Sequence, residues 1–160
     1  MNRIKIACIG RMKEGWQLEA EAEYKKLLSR YAKTEITELS AETARGDEPN
    51  AREIEAILKR EGERLTKAAR GYDVKIVMAV EAKPLTSPAL AAKLESLFDM
   101  GRSVCFLIGG SYGIDPEVKR NADMMISLSP LTFPHRLARI VLLEQLFRSF
   151  KIMRNEAYHK

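Results

Sequence analysis

A chain of 160 residues suits one domain and is long enough to bury a core without disulfide or metal staples. Its 27 lysines and arginines against 22 acids leave a net charge of +5, an excess that ordinary solvated surfaces also carry. No apolar run approaches the roughly 18 residues of a bilayer span and no basic-then-apolar leader opens the chain, so a soluble, cytoplasmic protein without a membrane partner is expected.

Taken in chain order, Ile4-Lys-Ile-Ala-Cys-Ile-Gly10 predicts a strand over residues 3–9. A helix over 14–32 follows; from Glu19 to Lys26 it alternates acid and base at helical spacing, the pattern of a solvated face. The next strand is expected over 34–39, and the polar stretch from Ala41 to Glu48 around Gly46 reads as a mobile surface loop. Asp47-Glu-Pro-Asn50 supplies cap chemistry for a helix over 49–69, whose run from Glu53 to Lys67 is again solvated. A strand over 74–80 precedes a helix over 87–100 opened by Ser87-Pro88. A strand over 103–108, a short helix over 116–121 opened by Asp115-Pro116, a strand over 124–128 and a helix over 134–152 complete the chain. This alternation predicts an α/β fold with a mainly parallel sheet and helices on both faces, and no linker divides residues 1–160 into separate units. Cys8 and Cys105 both fall in strands, as small buried hydrophobes do, so neither a disulfide nor a metal is assigned.

Two loops near the end of the chain carry most of the chemistry. The strand Ser103-Val-Cys-Phe-Leu-Ile108 opens into Gly109-Gly110-Ser-Tyr-Gly113, where missing side chains let a ligand approach the backbone. The strand Met124-Met-Ile-Ser-Leu128 runs into Ser129-Pro-Leu-Thr-Phe-Pro134, an irregular apolar loop. Side by side they suit a flat apolar base held by backbone hydrogen bonds, as in a nucleoside. The pattern is G-G-x-x-G rather than G-x-G-x-x-G, and no phosphate loop occurs, so phosphate cradling is disfavoured. A glycine pair alone is more often a tight turn than a site.

The last helix is apolar around nearly its whole circumference, with Leu137, Ile140, Val141, Leu142, Leu143, Leu146, Phe147 and Phe150. Such a helix is buried on all sides. Either a second copy covers it in a two-fold contact, or it runs through the middle of its own domain. From His135 onward six cations face two acids, so +4 of the +5 lies in 26 residues and a phosphate-bearing partner fits this end.

Phe106-Leu-Ile-Gly-Gly-Ser-Tyr-Gly113, Ile126-Ser-Leu-Ser-Pro-Leu-Thr-Phe-Pro-His135, Arg139-Ile-Val-Leu-Leu-Glu-Gln-Leu-Phe-Arg148 and Ala157-Tyr-His-Lys160 together closely resemble the ribosomal RNA large subunit methyltransferase H family. This is a branch of the knotted SPOUT methyltransferases, and Lys59-Arg-Glu-Gly-Glu63 and Leu85-Thr-Ser-Pro88 extend the likeness over essentially the full length. The resemblance implies a deep trefoil knot in about 103–152, binding of S-adenosylmethionine, a homodimer, and methylation of N3 of a pseudouridine in 23S rRNA of the assembled ribosome, not of DNA. Carried over residue by residue, it marks Val80, Gly109 and Gly110, with Leu128, Ser129, Pro130, Leu131, Thr132 and Phe133, for the methyl donor.

Methylating an imide nitrogen requires loss of its proton, and imidazole titrates near working pH, so His159 and His135 are both candidate bases. His159 is preferred because a terminal tail can reach a substrate base, whereas His135 starts a helix and can simply orient its loop. Arg148 and Arg154 can stabilise charge on uracil oxygens or grip phosphate, although Glu144 and Arg148 also have the spacing of a plain i,i+4 ion pair. Tyr158 can stack on a base or pack. Two other readings stay open: a non-catalytic ribosome-binding protein of the same fold, and a flavodoxin-like or other doubly wound protein using Gly109 to Gly113 for phosphate.

Overall fold

A computed structural model describes residues 1–160, and five strands alternate with five helices along it. The strands are β1 (Asn2–Ile9), β2 (Ala32–Leu39), β3 (Val74–Met78), β4 (Val104–Ile108) and β5 (Met124–Ile126). They form one sheet in the order β2-β1-β4-β3-β5, with every pairing parallel. Between them lie α1 (Gly15–Leu28), α2 (Ala51–Ala68), α3 (Ser87–Asp99) and α4 (Pro116–Asn121), and α5 (His135–Met153) ends the chain.

Side-chain alternation across the strands divides the core in two. Ile4, Ile6, Ile76, Val104 and Phe106 face a cluster completed by Leu28, Leu94, Leu142, Leu143 and Leu146, on the side of α1, α3 and α5. Ala7, Ile9, Val77, Cys105 and Leu107 face the opposite cluster, closed by Leu65 and Val118 of α2 and α4. Both cysteines are buried and free, and burial pushes each thiol up to about 12, so they are inert apolar filling. No helix is long and apolar enough to cross a membrane.

Several element ends differ from the sequence expectation, each for a local reason. The first helix stops at Leu28 rather than 32, because the Ser29 hydroxyl donates to the Lys26 carbonyl at 2.6 Å and the turn delivers Ala32 into β2. Strand β3 ends at Met78, not 80: the Ala79 amide donates to Ile126 at 3.0 Å and a turn follows, in which Ala82 donates to Ala79 at 3.1 Å. Val80 is therefore on a loop and 46% exposed. Strand β5 is only three residues long, and beyond it Ser127 pairs singly with Pro84. The cap of α3 is Thr86, whose hydroxyl accepts from Ala89 N at 3.2 Å, so Ser87-Pro88 lies inside the first turn.

Helix α5 packs between α1 and α3 across the sheet. Leu142, Leu143, Leu146, Phe147 and Phe150 are buried within this one chain, while Leu137, Ile140 and Val141 are half-buried. The central position within its own domain thus accounts for most of the apolar circumference that suggested a second copy.

Candidate functional site

Connections β3-α3-β4 and β4-α4-β5 leave the sheet on opposite faces, and the crevice opened at the carboxyl ends of such strands is where open α/β sheets place ligands. A cleft of about 700 Å³ lies there. Its floor is Met78, Ala79 and Ile108 at the ends of β3 and β4; the glycine loop and the loop from Ser127 to Pro134 form its sides. Val80, Gly109, Gly110, Leu128, Ser129, Leu131, Thr132 and Phe133 all line it, and Pro130 is the one expected donor-site residue that does not.

The glycine loop is compact. Gly113 N donates to Gly110 O at 3.1 Å, and Gly113 holds φ at +92°. A Cβ on Gly109 would stand 2.3 Å from the Gly113 carbonyl oxygen, so only glycine lets the chain return on itself here. Gly110 is different. Its missing Cβ points to Ile9 Cγ2 at 3.1 Å and the Glu61 carboxylate at 3.2 and 3.3 Å. A side chain there presses first on Ile9 and Glu61 behind the loop, before it reaches the cleft.

The proline loop is pinned by its serines: Ser127 Oγ donates to Ser129 O at 2.8 Å, and Leu131 N donates to Ser129 Oγ at 3.0 Å. Leu131 is left 71% exposed, an apolar side chain presented at the rim. Glu81 and Lys119, neither singled out by the sequence, join across the rim as an ion pair, and Lys119 holds the Glu81 carboxyl below its usual range.

His135 lines the cleft, but its Nε2 is buried, lacks a hydrogen-bond partner and lies 3.0 Å from where a Gly10 Cβ would stand. Burial, with the charges of Arg136 and Arg139, holds the imidazole below its ordinary pKa, so it is neutral at neutral pH. One turn on, the fully buried Arg139 donates to Glu21 Oε2 at 2.9 Å, Glu38 Oε2 at 3.0 Å and Gly10 O at 3.2 Å. It thereby ties the start of α5 to α1, β2 and the β1–α1 loop. The sequence shows Arg139 merely as one more cation, because nothing local marks a long-range carboxylate partner.

The other four catalytic candidates gather elsewhere. Arg148 pairs with Glu144 at 2.6 Å, and its guanidinium lies over the Tyr158 ring, 4.7 Å from the centroid. Tyr158 donates to Glu144 Oε1 at 3.1 Å and meets Phe147 edge-on at 5.0 Å; Arg148 Nη1 lies 3.3 Å from His159 Nδ1. Burial, then the Glu144 carboxylate, pushes the Tyr158 phenol up, so it stays a donor. Arg154 lies over Tyr31, 4.9 Å from its centroid, just before the start of β2 and so toward the opposite end of the sheet from the cleft. Arg148 is ten residues beyond Ala138, the last cleft residue of α5, roughly 15 Å by helical rise. Within one chain the tail is therefore docked on α5 rather than poised over the cleft, and the ion pair is the observed state of Arg148.

A family model described as predicted SPOUT methyltransferase matches residues 2–159. Proteins named ribosomal RNA large subunit methyltransferase H are similar over nearly the whole of both chains. The one from Acetivibrio thermocellus is 46% identical over 99% of each chain, and that from Ruminiclostridium cellulolyticum 40% identical over 99% of each. The one from Bifidobacterium animalis subsp. lactis is 43% identical over 98% of this chain and 99% of its own. In fold, the chain is similar to a solved methylase-family protein from Neisseria gonorrhoeae, with a TM-score of 0.55 at 14% identity over 91% of this chain and 82% of that one.

Proposed function

The chain belongs to the ribosomal RNA large subunit methyltransferase H family of SPOUT methyltransferases, and from that premise we propose that it methylates N3 of a pseudouridine in 23S rRNA of the assembled large subunit or 70S ribosome, with S-adenosylmethionine bound in the cleft. The observation that carries this reading is the cleft itself, about 700 Å³ of space between two loops that offer backbone groups and aliphatic side chains. That volume lies in the range of sites for compact organic ligands. Val80, Leu128, Leu131 and Phe133 fit the faces of a purine, and Gly109 and Gly110 leave room at the backbone. The residues present suit an adenosine-bearing ligand without a phosphate.

Bound there, S-adenosylmethionine supplies a methyl group on a sulfonium centre. The protein's part is alignment and exclusion of water: rigid, serine-pinned loops fix the ligand, and the apolar rim desolvates it. In this reading His159 removes the N3 proton, Arg148 and Arg154 hold the negative charge that appears on the uracil oxygens or a neighbouring phosphate, and Tyr158 packs against the base.

Because the tail lies far from the cleft of its own chain, these residues serve the cleft of a second copy. A homodimer through the remaining half-buried strip of α5 brings them there, and Leu137, Ile140 and Val141 support that contact. The same reading includes the trefoil knot. Its support is the pairing of Ser127 with Pro84 of the β3–α3 loop, after which the chain crosses to start α5 beside Gly10. Mass mapping of 23S rRNA from cells with and without this protein tests the reading. It predicts one methylated pseudouridine that vanishes with the protein; an unchanged map refutes it.

A further inference from the structure

The one tryptophan of the chain is 56% exposed, on the second residue of α1. An indole left in water wastes a large apolar surface, so its surroundings decide what it is for. They are rigid and basic. The loop between β1 and α1 is anchored by the buried Met12, whose amide donates to Glu38 at 2.8 Å, and by Arg139 on the Gly10 carbonyl. Gly10 in turn meets His135 of the cleft, so this loop borders the site. Arg11 and Lys13 are exposed on it, and neither enters an ion pair; Arg136 donates its Nε to Arg11 O at 2.6 Å and pairs with no acid.

Two exposed carboxylates, Glu14 and Glu19, are the nearest acids in sequence, so three cations against two leave the patch at +1. Phosphate neutralisation alone is weak at that charge. An exposed ring that follows a loop whose cations pair with no acid instead suits an unpaired base stacked on the indole with its phosphates on Arg11, Lys13 and Arg136. We propose that Trp16 is a stacking platform for an unpaired RNA base near the nucleotide that enters the cleft. This rests on the rRNA reading above and goes beyond it by naming the contact.

The chain reports on the idea directly, because all of its indole emission comes from Trp16. The full-length protein is titrated with a short unstructured RNA oligonucleotide, and methyl transfer to large ribosomal subunits is followed in parallel. Saturable quenching of the parent protein is expected. With a dye-labelled oligonucleotide followed by anisotropy, since the variants carry no indole, affinity should be roughly tenfold weaker in Trp16→Ala and nearly restored in Trp16→Phe. The KM for subunits should rise in Trp16→Ala, while calorimetric affinity for S-adenosylmethionine stays put. Emission indifferent to RNA under conditions where methyl transfer proceeds overturns the proposal. So does emission that changes with protein concentration alone, which places the ring between two copies. Quenching without any methyl transfer keeps the platform and sinks the methyltransferase reading.

Discussion

At the scale of single residues, Glu61 is the group out of balance with its surroundings. It is 4% exposed; Oε2 accepts from Glu42 N at 3.0 Å, and Oε1 is buried with no partner behind Gly110. Burial raises its carboxyl above the usual 4.5. The folded state therefore keeps a proton that the unfolded chain has released. The stability tied to this group is full below about pH 4.5 and falls as pH rises through the folded pKa. Glu61→Gln keeps the acceptor and removes the charge, so the variant should gain on the parent protein in urea midpoint from acid toward neutral pH. A gap between the two that is constant across that range contradicts this account. The glycine pair was legible in the sequence as a backbone-rich turn, but its reasons were not. Gly109 is needed for the return to Gly113 and Gly110 for the carboxylate beneath it, and both neighbours are set by folding rather than by local pattern.

Among elements, α5 carries the most. Arg139 binds it to three other parts of the fold, and the two carboxylates it neutralises belong to α1 and β2. Arg139→Leu leaves both without a cation beside a buried apolar side chain, with Glu38 keeping only the Met12 amide. The expected cost is about 3 kcal/mol, at the low end for a broken buried pair because Glu21 and Glu38 are partly open to solvent. Chemical denaturation showing a loss below ~1 kcal/mol would mean that the carboxylates rehydrate freely. The tail contributes more to stability than its terminal place suggests. Removing Tyr158 to Lys160 deletes the edge contact to Phe147 and the bond to Glu144, worth about 1 kcal/mol, so Tm should fall by about 2–4 °C. A Tm unchanged on truncation would show the docked tail to be energetically idle. The helix itself was readable within a residue at each end, since its apolar content is continuous. Which neighbours covered it was not, because an all-round apolar helix says that it is buried without saying by what.

At the scale of the whole molecule, strand and helix alternation gave the parallel α/β sheet, and two of its loops gave the cleft. The docking of the tail was hidden, because helical rise fixes the length of α5 but not that Tyr158 folds back onto Glu144 and Phe147. The separation of tail from cleft makes the central claim testable: one copy supplies the cleft, the other the tail. Val80→Arg blocks an exposed wall of the cleft and keeps the tail, and deletion of Tyr158 to Lys160 does the reverse. Methyl transfer to large ribosomal subunits is measured for each variant alone and for an equimolar mixture whose subunit exchange is verified by sedimentation of tagged chains. Each variant alone should be inactive, and the mixture should recover roughly a quarter of the parental rate, since half of the dimers then hold one intact site of two. A mixture that exchanges subunits yet stays as inactive as its components, or a truncated protein active by itself, contradicts the account.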